Sequence, residues 1–248
     1  MLLHYAVSGS GPALLLLHST AADSRQWDPQ RDDLAATRTV ITPDLRGYGE
    51  SPLPAGAYSH AGDVLELLDH LGIETTAVVG SSGGGRVALQ VAALAPERVT
   101  ALVLLCAAAE GVGPTADLRA FAEQEGALLE VGDVEGATEL NVATWLGPEA
   151  DDATRESLRV MQNNAFRVQL AAGEDTDEEE LDVDLSHITA PTTVVCGTHD
   201  LEFFRVVARY LVTELPSAEY IELPWAGHLP NLERPAETSA LIAKSIFA

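Results

Sequence analysis

One stretch, Val78-Val79-Gly80-Ser81-Ser82-Gly83-Gly84-Gly85, constrains the fold more than any other. Residues 77–79 are apolar and strand-like, and residues 83–94 follow an amphipathic helical pattern that Pro96 stops. The chain has to pass from strand to helix almost at once. A serine at such a corner takes strained backbone, so its neighbours must be tiny. Gly80 and Gly84 relieve clashes where strand and helix pass close, and Gly83 and Gly85 add room. The corner points the helix N-terminus, with its unpaired N–H groups, at Ser82. A developing oxyanion would be stabilised there. A glycine-rich turn can also bind phosphate, but residues 80–84 lack the Walker lysine and the dinucleotide glycine spacing. Ser82 therefore reads as a nucleophile on a sharp elbow.

The rest of the chain fits an α/β core around that corner. Strand-like runs, most of them apolar, lie over 2–7, 13–18, 39–43, 77–79, 99–106, 192–196 and 218–223. Helical spacing predicts helices over 59–71, 83–94, 203–215 and 236–247. Strands alternating with helices imply parallel βαβ units with right-handed crossovers. From Gly111 to about Leu185 no strand signal is present, and helices are predicted over 115–130, 134–145 and 151–172. The middle reads as a helical insertion. Residues 173–184 hold eight carboxylates and match no calcium loop, so they read as a solvated acidic linker. With 248 residues, 46% of them apolar, the chain can bury the core of one large domain.

Charge narrows the partners. A formal net charge of −24 repels phosphate backbones and anionic membrane surfaces, which argues for a small-molecule partner over nucleic acid or membrane. No run reaches the ~18 apolar residues of a membrane span. The apolar stretch at 13–17 lacks a basic leader and reads as a buried strand, not a signal peptide. Cys106 and Cys196 lie in apolar runs and read as a reduced, buried pair. These features together predict a cytoplasmic protein.

A serine hydroxyl needs a base, and the base needs an orienting acid. Asp200 follows the strand at 192–196, and His228 follows the last strand, in the chain order serine, acid, histidine. Open α/β sheets place their sites at the carboxyl ends of strands, where all three fall. Glu110, after the strand at 99–106, is the second candidate acid. His199, beside Asp200, is the main competitor of His228. His18 reads as a loop brace, His60 and His70 as exposed, His187 as part of the linker and His4 as part of the first strand. No Cys/His cluster has metal-ligand spacing, and this chemistry needs no cofactor or metal.

Two further segments carry a resemblance. Pro43-Asp44-Leu45-Arg46-Gly47-Tyr48-Gly49-Glu50-Ser51 is similar to the D-x-R-G-x-G-x-S loop of α/β-hydrolase-fold proteins, and Gly227-His228-Leu229-Pro230 with Glu233-Arg234-Pro235 is similar to their histidine loop. The resemblance runs over essentially the whole chain. It implies an α/β-hydrolase fold, a mostly parallel sheet with helices on both faces and a helical cap inserted after the sixth strand of that fold, here 99–106. The core would be 1–110 and 186–248, and the cap with its acidic linker 111–185. It also implies a Ser82–Asp200–His228 triad and an oxyanion hole from the backbone N–H groups of Thr20 and Gly83. One departure stands out: His18-Ser19-Thr20 replaces the family's usual His-Gly. The spacing from Ser19 through Arg25-Gln26-Trp27-Asp28-Pro29 is similar to the 3-oxoadipate enol-lactonase branch, which often carries this serine. Gly84-Gly85-Arg86-Val87-Ala88-Leu89 is similar to a menaquinone-pathway synthase branch that uses the same triad for an elimination. Dehalogenase and epoxide hydrolase relatives need Asp at the elbow, whereas serine haloperoxidase-like ones share the triad.

The implied reaction is hydrolysis of a carboxylic ester or lactone. One alternative is a lyase or cyclase that uses His228 as base while Ser82 only positions the substrate. Another is a catalytically silent ligand-binding module. Trp145, Leu146, Met161 and Phe166 are candidate pocket-lining residues and equally candidates for internal cap core. Trp27 reads as structural. Arg86, Arg119, Arg155, Arg159 and Arg167 could each meet a substrate carboxylate or sit in surface ion pairs.

Overall fold

Strands covered by helices on both faces carry near-continuous apolar side chains, and the central strands here do. The computed structural model describes residues 1–172, 175–179, 181 and 183–246. The strands are β1 (Tyr5–Gly9), β2 (Ala13–Leu17), β3 (Thr39–Pro43), β4 (Gly56–Tyr58), β5 (Thr76–Ser81), β6 (Val99–Leu105), β7 (Thr176–Glu178), β8 (Thr192–Gly197) and β9 (Ala218–Leu223). Seven of them form one sheet in the order β1-β3-β2-β5-β6-β8-β9. Only β1 runs antiparallel to its neighbour; the other pairs in this sheet are parallel.

Side-chain alternation sorts the core into two layers. Leu15, Leu17, Val78, Leu102, Leu104 and Val194 pack against helices α2 (His60–His70), α3 (Gly83–Leu94) and α7 (Glu202–Glu214). Leu14, Leu16, Val79, Val103, Leu105 and Val195 face Leu34 and Ile242, on α1 (Asp28–Ala35) and α9 (Pro235–Ile246). Local signals set the helix ends. The Ser59 side chain accepts the Gly62 N–H at the start of α2, and α3 runs over the residues its spacing predicts. Phe247, at the end of the last predicted helix, lies outside the described residues.

Between β6 and β7 stand α4 (Ala116–Glu130), α5 (Val134–Trp145) and α6 (Asp152–Leu170). Asp133 caps α5 through the Gly136 N–H, and Asp151 caps α6 through the Thr154 N–H. The α5 helix packs on both α4 and α6. The main departures from sequence expectation lie at pieces held by pairing rather than apolarity. β1 sits later than 2–7 because its antiparallel register runs from Tyr5 opposite Pro43 to Gly9 opposite Thr39. The α1 helix escapes the spacing test because it buries only Gln30 and Leu34. The acidic stretch is not wholly a solvated linker, as Thr176–Glu178 pairs in parallel with Gly56–Tyr58 as a two-stranded sheet. Gly173, Glu174, Glu180 and Asp182 of that stretch lie outside the described residues.

The loop after β3 is a structural knot. The carboxylate of Asp44 accepts N–H groups from Ser24 (2.8 Å) and Glu50 (2.9 Å) and lies 3.0 Å from His4 Nδ1. Arg46 pairs with Asp63 at 2.9 Å, and the Ser51 hydroxyl accepts the His4 N–H. Burial alone would raise the Asp44 pKa; the hydrogen bonds from Glu50 and Ser24 outweigh it and hold the carboxyl below its usual value. A depressed folded-state pKa gives stability that is complete above the unfolded pKa and is lost as pH falls through the folded one. Asp44→Asn is thus expected to cost about 1–3 kcal/mol at neutral pH. The melting temperature should fall by roughly 3–9 °C, with the gap narrowing below about pH 4. Thermal melts of both proteins from pH 3 to 7 check this; a gap constant with pH would refute it.

Candidate active site

Ser82 sits at the end of β5 with φ 53° and ψ −119°, and α3 starts at the next residue. The strain is held by backbone bonds to the end of β6: the Ser82 N–H donates to Leu105 O, and Ala108 N–H donates to Ser82 O, both at 3.0 Å. A Cβ at Gly84 would stand 2.3 Å from the His18 carbonyl oxygen, so the elbow packs directly on the end of β2. A Cβ at Gly83 would stand 2.4 Å from Thr20 Cγ2, so those two residues are also neighbours. In the turn after β2, Ser19 N–H donates to Gln26 Oε1, Ala21 N–H to Ser19 Oγ and Ala22 N–H to Ser19 O. The Thr20 N–H has no acceptor among the described residues. The Gly83 N–H belongs to the first helical turn, where intrahelical partners are absent.

Asp200 follows β8, and its Oδ2 lies 2.8 Å from His228 Nδ1. Both side chains are almost wholly buried. Asp200 Oδ1 also accepts the Leu201 N–H at 2.7 Å. The His228 N–H donates to the Trp145 carbonyl at 2.9 Å, and the preceding Gly227 N–H donates to Glu233. The Trp145 and Phe204 rings flank the imidazole, with centroids 4.7 and 4.1 Å away. A carboxylate on Nδ1 selects the tautomer that leaves Nε2 free to act as base.

The β6 end meets the same place. Cys106 Sγ, an Asp200 oxygen and a His228 ring nitrogen lie within 4.8 Å of one another. Contact with the Cys196 thiol, then burial, pushes the Cys106 thiol well above its usual pKa. A thiol so reluctant to ionise, beside a carboxylate and imidazole already bonded to each other, is a poor ligand set for a metal. Both cysteines are free and buried.

The other candidates fall elsewhere. His18 is buried, with Nδ1 2.8 Å from Ser19 O and Nε2 accepting the Leu45 N–H; burial lowers its pKa, and it braces the loop as a neutral ring. His60 is not exposed as its helix-end position predicts: it packs edge-on to Tyr58, and burial depresses its pKa to about 4. His199 and Glu110 are exposed. Met161 lines a cavity of about 270 Å³ with Arg25, Asp28, Pro29 and Val160. Leu146 and Phe166 are buried. Trp27 is fully buried in the α1–α9 layer. Arg86 pairs with Glu178 and Arg159 with Glu139, while Arg119, Arg155 and Arg167 bond to Pro114 O, Gly147 O and Asn163 Oδ1. Sequence spacing misses Phe204 and Gln26. A signal for Phe204 is present, since it falls in the first helical turn after the Asp200 loop.

Comparison with known proteins bears on this geometry. A family model described as the alpha/beta hydrolase family matches residues 14–241. RutD of Klebsiella pneumoniae, named as a candidate carbamate hydrolase, is 30% identical over 237 residues, covering 89% of this chain and 86% of that protein. The chain spans 31% of the length of uncharacterized Mycobacterium proteins with which it is 42% identical over 106 residues. A thermophilic esterase from Thermogutta terrifontis superposes with a TM-score of 0.79 at 26% identity, over 98% of this chain and 92% of that one. An enol-lactonase from Burkholderia xenovorans LB400 superposes with a TM-score of 0.81, over 99% and 96% of the two chains. At 24% identity that likeness concerns the fold alone.

Proposed function

The chain belongs to the alpha/beta hydrolase family, and on that premise we propose that it is a serine hydrolase cleaving a small carboxylic ester or lactone. The observation that carries this reading is the buried Asp200–His228 pair at 2.8 Å, which follows strand ends of the same sheet whose β5 ends in a serine held at positive φ. Ser82 Oγ attacks the carbonyl while His228 Nε2 takes its proton. Asp200 holds the tautomer and stabilises the imidazolium. The N–H groups of Thr20 and Gly83 receive the oxyanion. His228 then protonates the leaving oxygen, and a water activated by the same nitrogen releases the acyl group. No step needs a metal or cofactor.

Residues 111–185 act as a cap over this site, with Trp145 as its inner wall against His228. Met161 and Phe166 are the further cap residues proposed to meet the substrate. Among the described residues no helix is long and apolar enough to cross a membrane. The charge of −24 favours a small-molecule partner over nucleic acid, and the free, buried Cys106 and Cys196 fit a reducing cytoplasm.

The test is to treat purified protein with p-nitrophenyl butyrate and, separately, with a fluorophosphonate. Turnover together with stoichiometric labelling is expected. Labelling without turnover would keep the nucleophile and place the specificity in the cap. If both are absent, the hydrolase reading falls, and weight passes to an elimination run by His228 or to a silent binding module.

A further inference from the structure

A carboxamide that nothing in the reaction touches joins the three loops the reaction needs. Gln26 is fully buried in the short 3₁₀ turn Ser24–Trp27. Its Oε1 accepts the Ser19 N–H at 2.7 Å. Its Nε2 donates to Ser81 Oγ and to Asn231 Oδ1, both at 3.0 Å. Its main-chain carbonyl accepts Asn231 Nδ2 at 3.0 Å. Gln30 closes the network, its Nε2 donating to Asn231 O at 2.8 Å. Ser19 precedes Thr20, Ser81 precedes Ser82, and Asn231 lies three residues beyond His228. One side chain thus ties the oxyanion turn, the elbow and the histidine loop together.

The geometry explains why such a tie matters. The C=O and N–H of a trans peptide point in opposite directions. The Ser19 carbonyl is held on one side, bonded to His18 Nδ1 at 2.8 Å and to Ala22 N–H at 3.0 Å. The Thr20 N–H of the same peptide must therefore aim the other way. Gln26 fixes the other end of Ser19 by holding its N–H. With Ser19 held at both ends, the aim of the Thr20 donor is set, and the bond to Ser81 sets it relative to the nucleophile. Both N–H groups and the oxygen of the carboxamide are bonded, and a buried network with its donors satisfied is rigid.

We propose that Gln26 is a positioning residue that holds the Thr20 N–H in register with Ser82 and His228. The inference rests on the serine hydrolase reading above. Oxyanion stabilisation depends on donors placed to a few tenths of an ångström, and small misplacement costs one to two decades in rate.

The experiment compares wild type, Ser82→Ala and Gln26→Leu on a p-nitrophenyl ester, with active sites counted by fluorophosphonate labelling. Per labelled site, Gln26→Leu is expected to lower kcat by about 10- to 100-fold with KM changed less than about threefold. A boronic acid, which needs the oxyanion donors once tetrahedral, should weaken by a similar factor. A merely structural role would reduce the number of labelled sites and leave kcat per site alone, and that result overturns the proposal. If Gln26→Leu does not fold, Gln26→Glu keeps the acceptor for Ser19 and loses both donors; it should again lower kcat per site, and an unchanged value is fatal. Full activity in Gln26→Leu beside a dead Ser82→Ala sinks only this inference. Activity retained in Ser82→Ala, or an unlabelled wild type, removes the hydrolase reading and this inference with it.

Discussion

Ser82→Ala is expected to lower turnover of an ester substrate by about 10⁴-fold or more and to abolish fluorophosphonate labelling, with the fold unchanged. The methyl group removes the atom that forms the acyl bond, and nothing else at the corner depends on the hydroxyl. Ser82 holds its strained turn through its backbone, which bonds to Leu105 and Ala108. Circular dichroism and the melting temperature should therefore match wild type. Activity near the wild-type level would mean that Ser82 only positions substrate and that His228 works alone as a base, the lyase or cyclase alternative.

Asp200→Asn carries the second large effect, a loss of about 10⁴ in kcat. The amide is nearly the shape of the carboxylate, so the buried pair should still form. Its NH₂ group, however, would donate to Nδ1 and turn the imidazole to the tautomer whose Nε2 carries a proton. The base is then lost while the geometry stays. The exposed Glu110 offers the control: Glu110→Gln should stay within about twofold, as surface substitutions away from a site do. Side-by-side kcat measurements decide between the two acids. Greater damage from Glu110→Gln would transfer the orienting role to it.

Much of this arrangement is legible in the sequence because the residues stand at punctuation marks. Ser82 is flanked by glycines that only a strand-to-helix corner requires, and the bounds of α3 and α5 follow from helical spacing with Pro96 and Asp133 at their ends. Asp200 and His228 are readable because each follows one of the last two strands, the first of them wholly buried. What escapes is whatever long-range pairing decides. His60 looks like an exposed helix start until Glu178, brought by the pairing of β4 with β7, joins its chain neighbour Tyr58 against it. Gln26 looks like any polar residue of a loop, and its bonds reach 205 residues along the chain to Asn231. Local pattern carries no trace of a partner so distant. Phe204 stands between these cases: its position in the first turn after Asp200 is local, but its contact with His228 depends on how α7 docks on β8.

The hydrogen bond from the His228 backbone to the Trp145 carbonyl has a consequence for how this chain can change. If α4 to α6 roof the site as proposed above, a roof hung only by side chains could be exchanged for another without disturbing the chemistry below. Here the last residue of α5 is bonded through its backbone to the main chain of His228, so exchanging one strains the other. A chimaera that borrowed residues 111–185 from a relative would inherit a new specificity only if its own strap offered a carbonyl at the place of Trp145. Otherwise the borrowed roof would unsettle the imidazole beneath it.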